Sequence, residues 1–141
     1  MIKRILFAFV GLLMVALFLF PSSNAFAASS QVTVPQNHFG DTCSHESINK
    51  QGVLSAWCTR KNGTTNKNAV LGLDAFIGDV NGFLTSNKSF FVENCPSFHL
   101  SGITLVASCR TAGHTVSSTC NLNENVDNNN GALRWESGHP C

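Results

Sequence analysis

Short runs in which apolar and polar residues alternate make up most of the chain beyond its N-terminal segment. The clearest runs are two matching triplets of apolar positions, Leu54, Ala56 and Cys58 and then Leu105, Ala107 and Cys109. Leu71 and Leu73 alternate in the same way, as do Cys120 and Leu122. A period of two predicts short, half-buried β-strands, because successive side chains of a strand point to opposite faces. The pattern therefore predicts an all-β fold.

Turn-forming dipeptides and one other apolar spacing separate these runs. Asn62-Gly63, Asn81-Gly82 and Asn130-Gly131 are typical of tight turns, because asparagine and glycine tolerate a left-handed backbone. The apolar spacing is four from Leu73 to Ile77 and again from Leu122 to Val126, which predicts one helical turn at each place. No window of the sequence favours a long helix.

The chain contains two copies of one pattern. Ten positions of the first copy recur in the second, at a shift that falls from 52 to 49 residues. They are Phe39, Cys43, Leu54, Ala56, Cys58, Gly63, Leu73, Asn81, Gly82 and Leu84, matched by Phe91, Cys95, Leu105, Ala107, Cys109, Gly113, Leu122, Asn130, Gly131 and Leu133. The shift changes only in stretches rich in Asn, Gly, Thr and Lys, where a duplicated unit tolerates length changes. We place repeat 1 at about residues 39–86, repeat 2 at about 91–136 and a C-terminal tail at 137–141.

The N-terminal segment is typical of a secretory signal peptide. Lys3 and Arg4 precede an apolar run over residues 5–20, and Ala25-Phe26-Ala27 provides a small-residue exit. The alternative is a transmembrane anchor, but the run is shorter than the ~20 residues that a spanning helix needs. We predict a signal peptide over residues 1–27, a linker over 28–36, a domain over 37–141, and a secreted or periplasmic location without membrane attachment after cleavage.

Charge excludes some classes of partner. Without Lys3 and Arg4, the 9 basic residues become 7 against 8 acidic ones, a formal charge of −1. The remaining basic residues are scattered apart from Arg60-Lys61. Nucleic acid is therefore not expected as a partner, because its binding depends on concentrated positive charge.

All six cysteines follow the predicted cleavage point, and an even number in an exported chain predicts disulfides. Equivalent pairing in the two copies requires Cys43–Cys58 and Cys95–Cys109. Zinc is disfavoured, since no Cys-x-x-Cys pair exists and an oxidising compartment favours disulfides. Cys120 and Cys141 break the symmetry; a third bridge is preferred, and the alternative is a buried free thiol with an exposed one.

These residues together resemble the cyanovirin-N homology (CVNH) family of lectins. The resemblance rests on Phe39-x3-Cys43, Leu54-x-Ala56-x-Cys58 and Leu73-Asp74-x2-Ile77-x3-Asn81-Gly82-x-Leu84, repeated with Leu122-Asn123 and ending in Trp135. It implies a pseudo-symmetric fold of two tandem repeats in which each half has a triple-stranded sheet plus a β-hairpin. It also implies a non-catalytic lectin without cofactors, which binds mannose-type or related oligosaccharides or glycoproteins as a monomer or domain-swapped dimer.

The resemblance also implies two sugar sites. The first and preferred site corresponds to His38, Asp41, Thr42, Thr59, Lys61, Asn128, Asn129, Asn130 and Gly131. Here Thr59 and Asn130 replace acidic residues of the family. The second, weaker site corresponds to Gly78, Ser89, Phe90, Glu93, Asn94, Arg110, Thr111, Ala112 and His114. Here Gly78 and Ala112 replace a Glu and an Arg that clamp the sugar in the family.

Other functions have less support in the sequence. Metal binding is disfavoured because His45, His99 and His114 stand alone, without a partner at ligand spacing. Catalysis is disfavoured because Glu93 and Asp79 fit turn or surface positions. The principal alternative is a secreted protein-interaction module or inhibitor with degenerate sugar sites, for which Phe83, Phe90, Phe98 or Trp57 would be the anchors. Packing between the halves is the other interpretation of Trp57.

Overall fold

The computed structural model describes residues 38–141, which form ten strands, two single-turn α-helices and two 3₁₀ turns. The elements of repeat 1 are α1 (Phe39–Thr42), β1 (Cys43–Ile48), β2 (Val53–Thr59), β3 (Thr65–Gly72), a 3₁₀ turn (Leu73–Ala75), β4 (Ile77–Val80) and β5 (Phe83–Ser86). Those of repeat 2 are α2 (Phe91–Asn94), β6 (Ser97–Ser101), β7 (Thr104–Thr111), β8 (His114–Asn121), a 3₁₀ turn (Leu122–Glu124), β9 (Val126–Asn129) and β10 (Ala132–Trp135). The predicted signal peptide and linker lie outside the described residues.

Each repeat supplies one sheet and one hairpin, and the hairpins are exchanged between the repeats. The sheets have the orders β1-β2-β3 and β6-β7-β8, and the hairpins are β4-β5 and β9-β10. Hairpin β4-β5 packs on β8, and β9-β10 packs on β3. The first half of the molecule is therefore β1–β3 with β9-β10, and the second half is β6–β8 with β4-β5. This confirms the predicted pseudo-symmetric all-β fold.

Side-chain hydrogen bonds join each hairpin to the sheet of the other repeat. In the second half, the backbone N–H of Leu84 donates to the buried Ser118 Oγ at 2.9 Å. In the first half, Asn66 Nδ2 donates to the carbonyl of Gly131 at 2.7 Å. Residues far apart in sequence therefore stabilise both halves.

The predicted alternation is confirmed in the two central strands. Leu54, Ala56 and Cys58 of β2 are buried, and so are the three equivalent residues of β7. Phe39 and Phe91, at the starts of α1 and α2, are fully buried in the same core. Burial of such a phenylalanine is worth about 1.5–3 kcal/mol, so each helical turn is held by its aromatic residue.

Three disulfides link the six cysteines. Cys43–Cys58 and Cys95–Cys109 lie within the two repeats, as predicted, and Cys120–Cys141 is the third bridge. The C-terminal tail follows β10 of the first half but returns to the second half, where Ser86 Oγ donates to the carbonyl of His139 at 2.6 Å. The free-thiol alternative is wrong, since the described residues include no free cysteine.

The predicted tight turns have two different geometries. Both residues of Asn81-Gly82 and of Asn130-Gly131 are left-handed, with φ of 55° and 88° and of 53° and 87°. This is the two-residue hairpin turn that matches strand twist. At Asn62-Gly63 only the glycine is left-handed, and a longer turn is closed by Arg60 N–H donating to the Thr64 carbonyl.

Three one-residue differences account for the changing shift between the copies. Two lie in the β1–β2 and β2–β3 turns, which are each one residue shorter in repeat 2. The third is a β-bulge in β3, where Lys67 and Asn68 lie opposite Trp57. Trp57 is half-buried on the outer face of this sheet, stacked on His45 at 4.0 Å with Lys67 Nζ 4.6 Å from its ring centre. This aromatic residue thus packs on its own sheet and does not fill the junction between the halves.

Two short helices were missed by the sequence analysis, which predicted one non-strand segment per repeat. The 3₁₀ turns confirm that segment, but α1 and α2 are four-residue turns without a detectable helical period. No helix within residues 38–141 has the length and apolar character needed to cross a membrane.

We expect Ser118→Ala to lower the free energy of unfolding by about 1–3 kcal/mol, because it leaves the buried Leu84 N–H without an acceptor. Ser117→Ala is the matched control: this neighbour in β8 is exposed, so its substitution should change stability by less than about 0.5 kcal/mol. Urea unfolding of the oxidised proteins measures both values. Equal losses of stability in the two variants would contradict a stabilising role for the Leu84–Ser118 hydrogen bond between the repeats.

Candidate functional site

The first cleft is the surface formed by α1, the end of β2 and the β9–β10 turn. It draws on both repeats, because β9-β10 belongs to repeat 2 and the other two segments to repeat 1. Asp41, Lys61, Asn129 and Asn130 are exposed there, and Thr42 and Thr59 are half-buried. The structure thus brings together the predicted residues of the first site.

Asn128 joins all three segments of the first cleft. Its Nδ2 donates to Thr42 Oγ1 at 2.9 Å and to the carbonyl of Thr59 at 2.8 Å. Its Oδ1 accepts from the backbone N–H of Gly131 at 2.7 Å. The side chain is fully buried, so it cannot contact a ligand directly. Its predicted place among the contact residues is therefore corrected: Asn128 positions them.

The β9–β10 turn makes further contacts to repeat 1. Asn130 Oδ1 accepts from the backbone N–H of Lys61 at 3.0 Å, next to the Asn66–Gly131 bond described above. A Cβ atom on Gly131 would lie 2.7 Å from Arg60 Cγ and 3.2 Å from Asn66 Cβ. The turn is therefore fitted closely against the β2–β3 hairpin, and a larger residue at Gly131 would push the two apart.

A second set of hydrogen bonds anchors α1. Asn123 Oδ1 accepts from the N–H of Gly40 at 2.8 Å, and Asp127 Oδ1 accepts from the N–H of His38 at 3.1 Å. The His38 ring is also engaged, with Nδ1 2.7 Å from the carbonyl of Asn123. Neither Asn123 nor Asp127 was predicted from the sequence to support the cleft. The recurring Leu-Asp and Leu-Asn pairs were the available signal for Asn123.

The equivalent anchor exists in the other half. Asp74 Oδ1 accepts from the N–H of Val92 in α2 at 2.9 Å, as Asn123 does from Gly40. Each 3₁₀ turn therefore supplies an acceptor to the helical turn of the other repeat. This contact gives a physical reason for the recurrence of Asp74 and Asn123 one residue after a buried leucine.

The second cleft is the surface formed by α2, the end of β7 and the β4–β5 turn. An open depression of about 490 Å³ lies along it, lined by Arg110, Thr111, Gly113, His114 and Thr115. Arg110 Nη1 is 3.5 Å from the carbonyl of Glu93, so these two predicted residues are neighbours. Ser89 lies against Gly78, and Asn94 and Ala112 are exposed.

Gly78 leaves no room for an acidic side chain at this point. A Cβ on Gly78 would lie 2.5 Å from Lys88 Cβ and 2.6 Å from the carbonyl oxygen of Ser89. The backbone of the segment between the repeats therefore occupies the space that a clamping side chain would need. The second cleft therefore has no clamping side chain at this position.

Three large apolar residues of the second half are exposed where the first half has smaller or polar residues. Phe90, Phe83 and Val80 are 59%, 57% and 44% exposed. Their equivalents in the first half are His38, Ala132 and Asn129 at the shifts of 52 and 49 residues. The second half thus exposes three large apolar residues, Val80, Phe83 and Phe90, which are called the apolar rim here.

Another cavity and one cluster of possible metal ligands are present, and neither offers a binding site formed by the predicted residues. A cavity of about 460 Å³ between the β1–β2 turn and α2–β6 is lined by a mixture that includes Ile48, Lys50, Val92 and Phe98. The carboxylate of Asp79 lies within 4.8 Å of the sulfur atoms of Cys95 and Cys109. Those sulfur atoms are joined to each other, so they offer no thiolate to a metal ion.

Known proteins share this pattern and fold. The family model of the CVNH domain matches residues 39–134. Microvirin, solved as a complex with mannobiose, is 28% identical, with a TM-score of 0.61 over 71% of this chain and 99% of that chain. TbCVNH from T. borchii is 26% identical, with a TM-score of 0.64 over 70% and 99%. The MoCVNH3 variant in complex with (N-GlcNAc)4 is 17% identical, with a TM-score of 0.64 over 71% and 97%, and shows the fold alone.

We expect Gly131→Ala to destabilise the protein by roughly 1 kcal/mol more than Gly63→Ala, because only the methyl group added at position 131 would clash with neighbouring side chains. Both glycines are left-handed, with φ of 87° and 80°, so both variants share the backbone strain of about 1–2 kcal/mol. A Cβ on Gly63 meets nothing within 4 Å. Thermal unfolding of the two variants measures the difference, and equal losses would contradict the close fit of the turn.

Proposed function

The chain belongs to the CVNH family, and on this premise we propose that it is a secreted, non-catalytic lectin that binds oligosaccharides in its first cleft. The observation that carries the proposal is the Asn128 network, which holds Thr42, Thr59 and Gly131 in one rigid polar surface. A saccharide offers adjacent hydroxyl groups, each a donor and an acceptor. Fixed hydroxyl, amide and backbone groups match such a ligand with little loss of side-chain entropy.

The ligand class follows from the groups that remain exposed. Asp41 is the carboxylate of the predicted set, and Asn129 and Asn130 add neutral amides. We propose mannose-type or related oligosaccharides, since microvirin, at 28% identity, was solved with mannobiose. Because Thr59 and Asn130 stand where the family has acidic residues, we expect fewer charged hydrogen bonds to the sugar and a moderate affinity.

The proposed non-catalytic mode fits the surroundings of the two acidic residues considered for catalysis. Glu93 is exposed, and Asp79 Oδ1 is buried against the Cys95–Cys109 bridge. General acid–base chemistry requires a group within hydrogen-bond reach of a bound substrate. A buried oxygen beside a disulfide lacks that access.

Secretion and the oligomeric state are part of the same proposal. The N-terminal leader and three disulfides are typical of an exported chain that meets glycoproteins outside the cell. Because each hairpin completes the other repeat's half, the same contacts can form within one chain or between two. We therefore propose a monomer that also has a domain-swapped dimer accessible to it.

The lectin proposal is tested by glycan-array binding and calorimetry of the purified, oxidised protein, with Asn130→Gly and Asn81→Gly as a matched pair. Glycine keeps the left-handed turn in both variants and removes only the amide. We expect Asn130→Gly to weaken binding by about 2- to 10-fold, since the Lys61 contact is lost, and Asn81→Gly to leave it unchanged. Asp41→Ala should weaken binding as well. Absence of binding to every mannose, glucose and N-acetylglucosamine ligand would refute the proposal.

Protein recognition is the second candidate function, favoured by the apolar rim of Val80, Phe83 and Phe90. Of the other predicted anchors, Phe98 is half-buried against Phe91, and Trp57 is covered by His45 and Lys67. Exposed aromatic residues are typical anchors of protein interfaces.

The two functions differ in what they need from a glycoprotein target. We expect enzymatic deglycosylation of a bound glycoprotein to abolish binding and Phe83→Ser to leave it intact, measured by surface plasmon resonance. The opposite pattern, with binding retained after deglycosylation and lost in Phe83→Ser, would favour protein recognition.

A further inference from the structure

The two halves offer a matched comparison at the centre of each cleft. At the shift of 49 residues, Asp79 takes the place of Asn128 and Gly82 that of Gly131. Asn94 and Arg110 correspond in the same way to Thr42 and Thr59, the residues that flank the first and second cysteines. The two copies share their backbone fold, so the two centres can be compared one side chain at a time, beginning with Asn128 and Asp79.

An amide and a carboxylate differ in what they can hold together. Asn128 donates two hydrogens, one of them to the carbonyl of Thr59, and accepts one. An ionised carboxylate has acceptors only. Asp79 has no amide hydrogens, so it cannot hold the carbonyl of Arg110 as Asn128 holds that of Thr59.

The structure shows the consequence at Asp79. Its Oδ1 is buried without a hydrogen-bond partner among residues 38–141. The N–H of Gly131 donates to Asn128, whereas among the described residues no such bond joins the N–H of Gly82 to Asp79. The β4–β5 turn thus lacks the bonds that fasten the β9–β10 turn to its neighbours.

We infer that Asn128 is the positioning residue that fastens the three segments of the first cleft, and that Asp79 leaves the β4–β5 turn of the second cleft without such hydrogen bonds, so that each chain binds a single saccharide. This inference rests on the proposed lectin function for its ligand. Three differences from the first half occur in the second half: the missing hydrogen bonds to the turn, the missing side chain at Gly78 and the apolar rim. Duplication has therefore yielded two similar folds and one binding site.

The test combines amide hydrogen exchange with NMR titration of the full mature chain, using mannobiose and the N-acetylglucosamine tetramer as probes. In the wild-type protein we expect the Gly131 amide to exchange at least about tenfold more slowly than that of Gly82, because only the former is hydrogen-bonded by a buried side chain. The probe should shift the resonances of Asn130 and Gly131 and leave those of Asn81 and Gly82 in place, with one ligand bound per chain.

Two reciprocal variants separate positioning from stability. Asn128→Asp should weaken binding by about tenfold or more, since it removes both donors to Thr42 and Thr59. Without those two bonds the side chain is no longer held in place, so exchange at Gly131 should also become faster. Asp79→Asn is nearly isosteric and should slow exchange at Gly82 by about tenfold, a result that stands even if Asn128→Asp fails to fold. Ser118→Ala is the control, because it destabilises the second half without touching the first cleft and should leave affinity unchanged.

Equal protection of Gly82 and Gly131 in the wild type, or two equivalent bound ligands per chain, would overturn the inference. Unchanged affinity and exchange in a folded Asn128→Asp variant would do the same. If neither probe shifts any resonance while the exchange rates behave as expected, the lectin proposal fails and the roles of Asn128 and Asp79 in fastening the turns stand.

Discussion

The exchange of hairpins between the repeats is the constraint on which the rest of the structure depends. A sheet of three short strands and an isolated hairpin are each too small to bury an apolar face alone. Each sheet is completed by the hairpin of the other repeat, with Ser118 and Asn66 accepting or donating across the junction. The core, the clefts and the return of the C-terminal tail all follow from this arrangement.

The clefts lie at the seams that the exchange creates. Each seam brings together a hairpin turn from one repeat with a helical turn and a strand end from the other. The backbone groups that meet there do not belong to one β-sheet. The disulfides Cys43–Cys58 and Cys95–Cys109 hold the helical turn to the strand end in both halves. The remaining segment, the hairpin turn, is fastened in the first half by Asn128, which accepts a hydrogen bond from the Gly131 N–H.

The two copies share several of their packing contacts, whereas their outer surfaces differ. Phe39 and Phe91 occupy equivalent buried positions, and Asp74 and Asn123 make equivalent bonds to the helical turns. In contrast, the outer surfaces differ: the first sheet carries Trp57 beside a bulge, and repeat 2 has Ser108 at that position in regular pairing. A duplicated fold constrains its core twice, whereas each surface needs to keep only the function it performs.

The sequence by itself determined the strands, the turns, two disulfide pairings and the family, because these depend on local period, backbone tolerance and repeat symmetry. The alternate spacing of Leu54, Ala56 and Cys58 predicts that they are buried, and the residue types of Asn130-Gly131 predict a tight turn. Only the tertiary structure decided the role of Asn128. Asparagine usually lies at the surface, but this side chain is fully buried. The tertiary structure also decided that Gly78 leaves no space beside Ser89, and that Cys141 reaches Cys120. These facts depend on contacts between segments that lie apart along the chain, and no local pattern within one segment records what another will place against it.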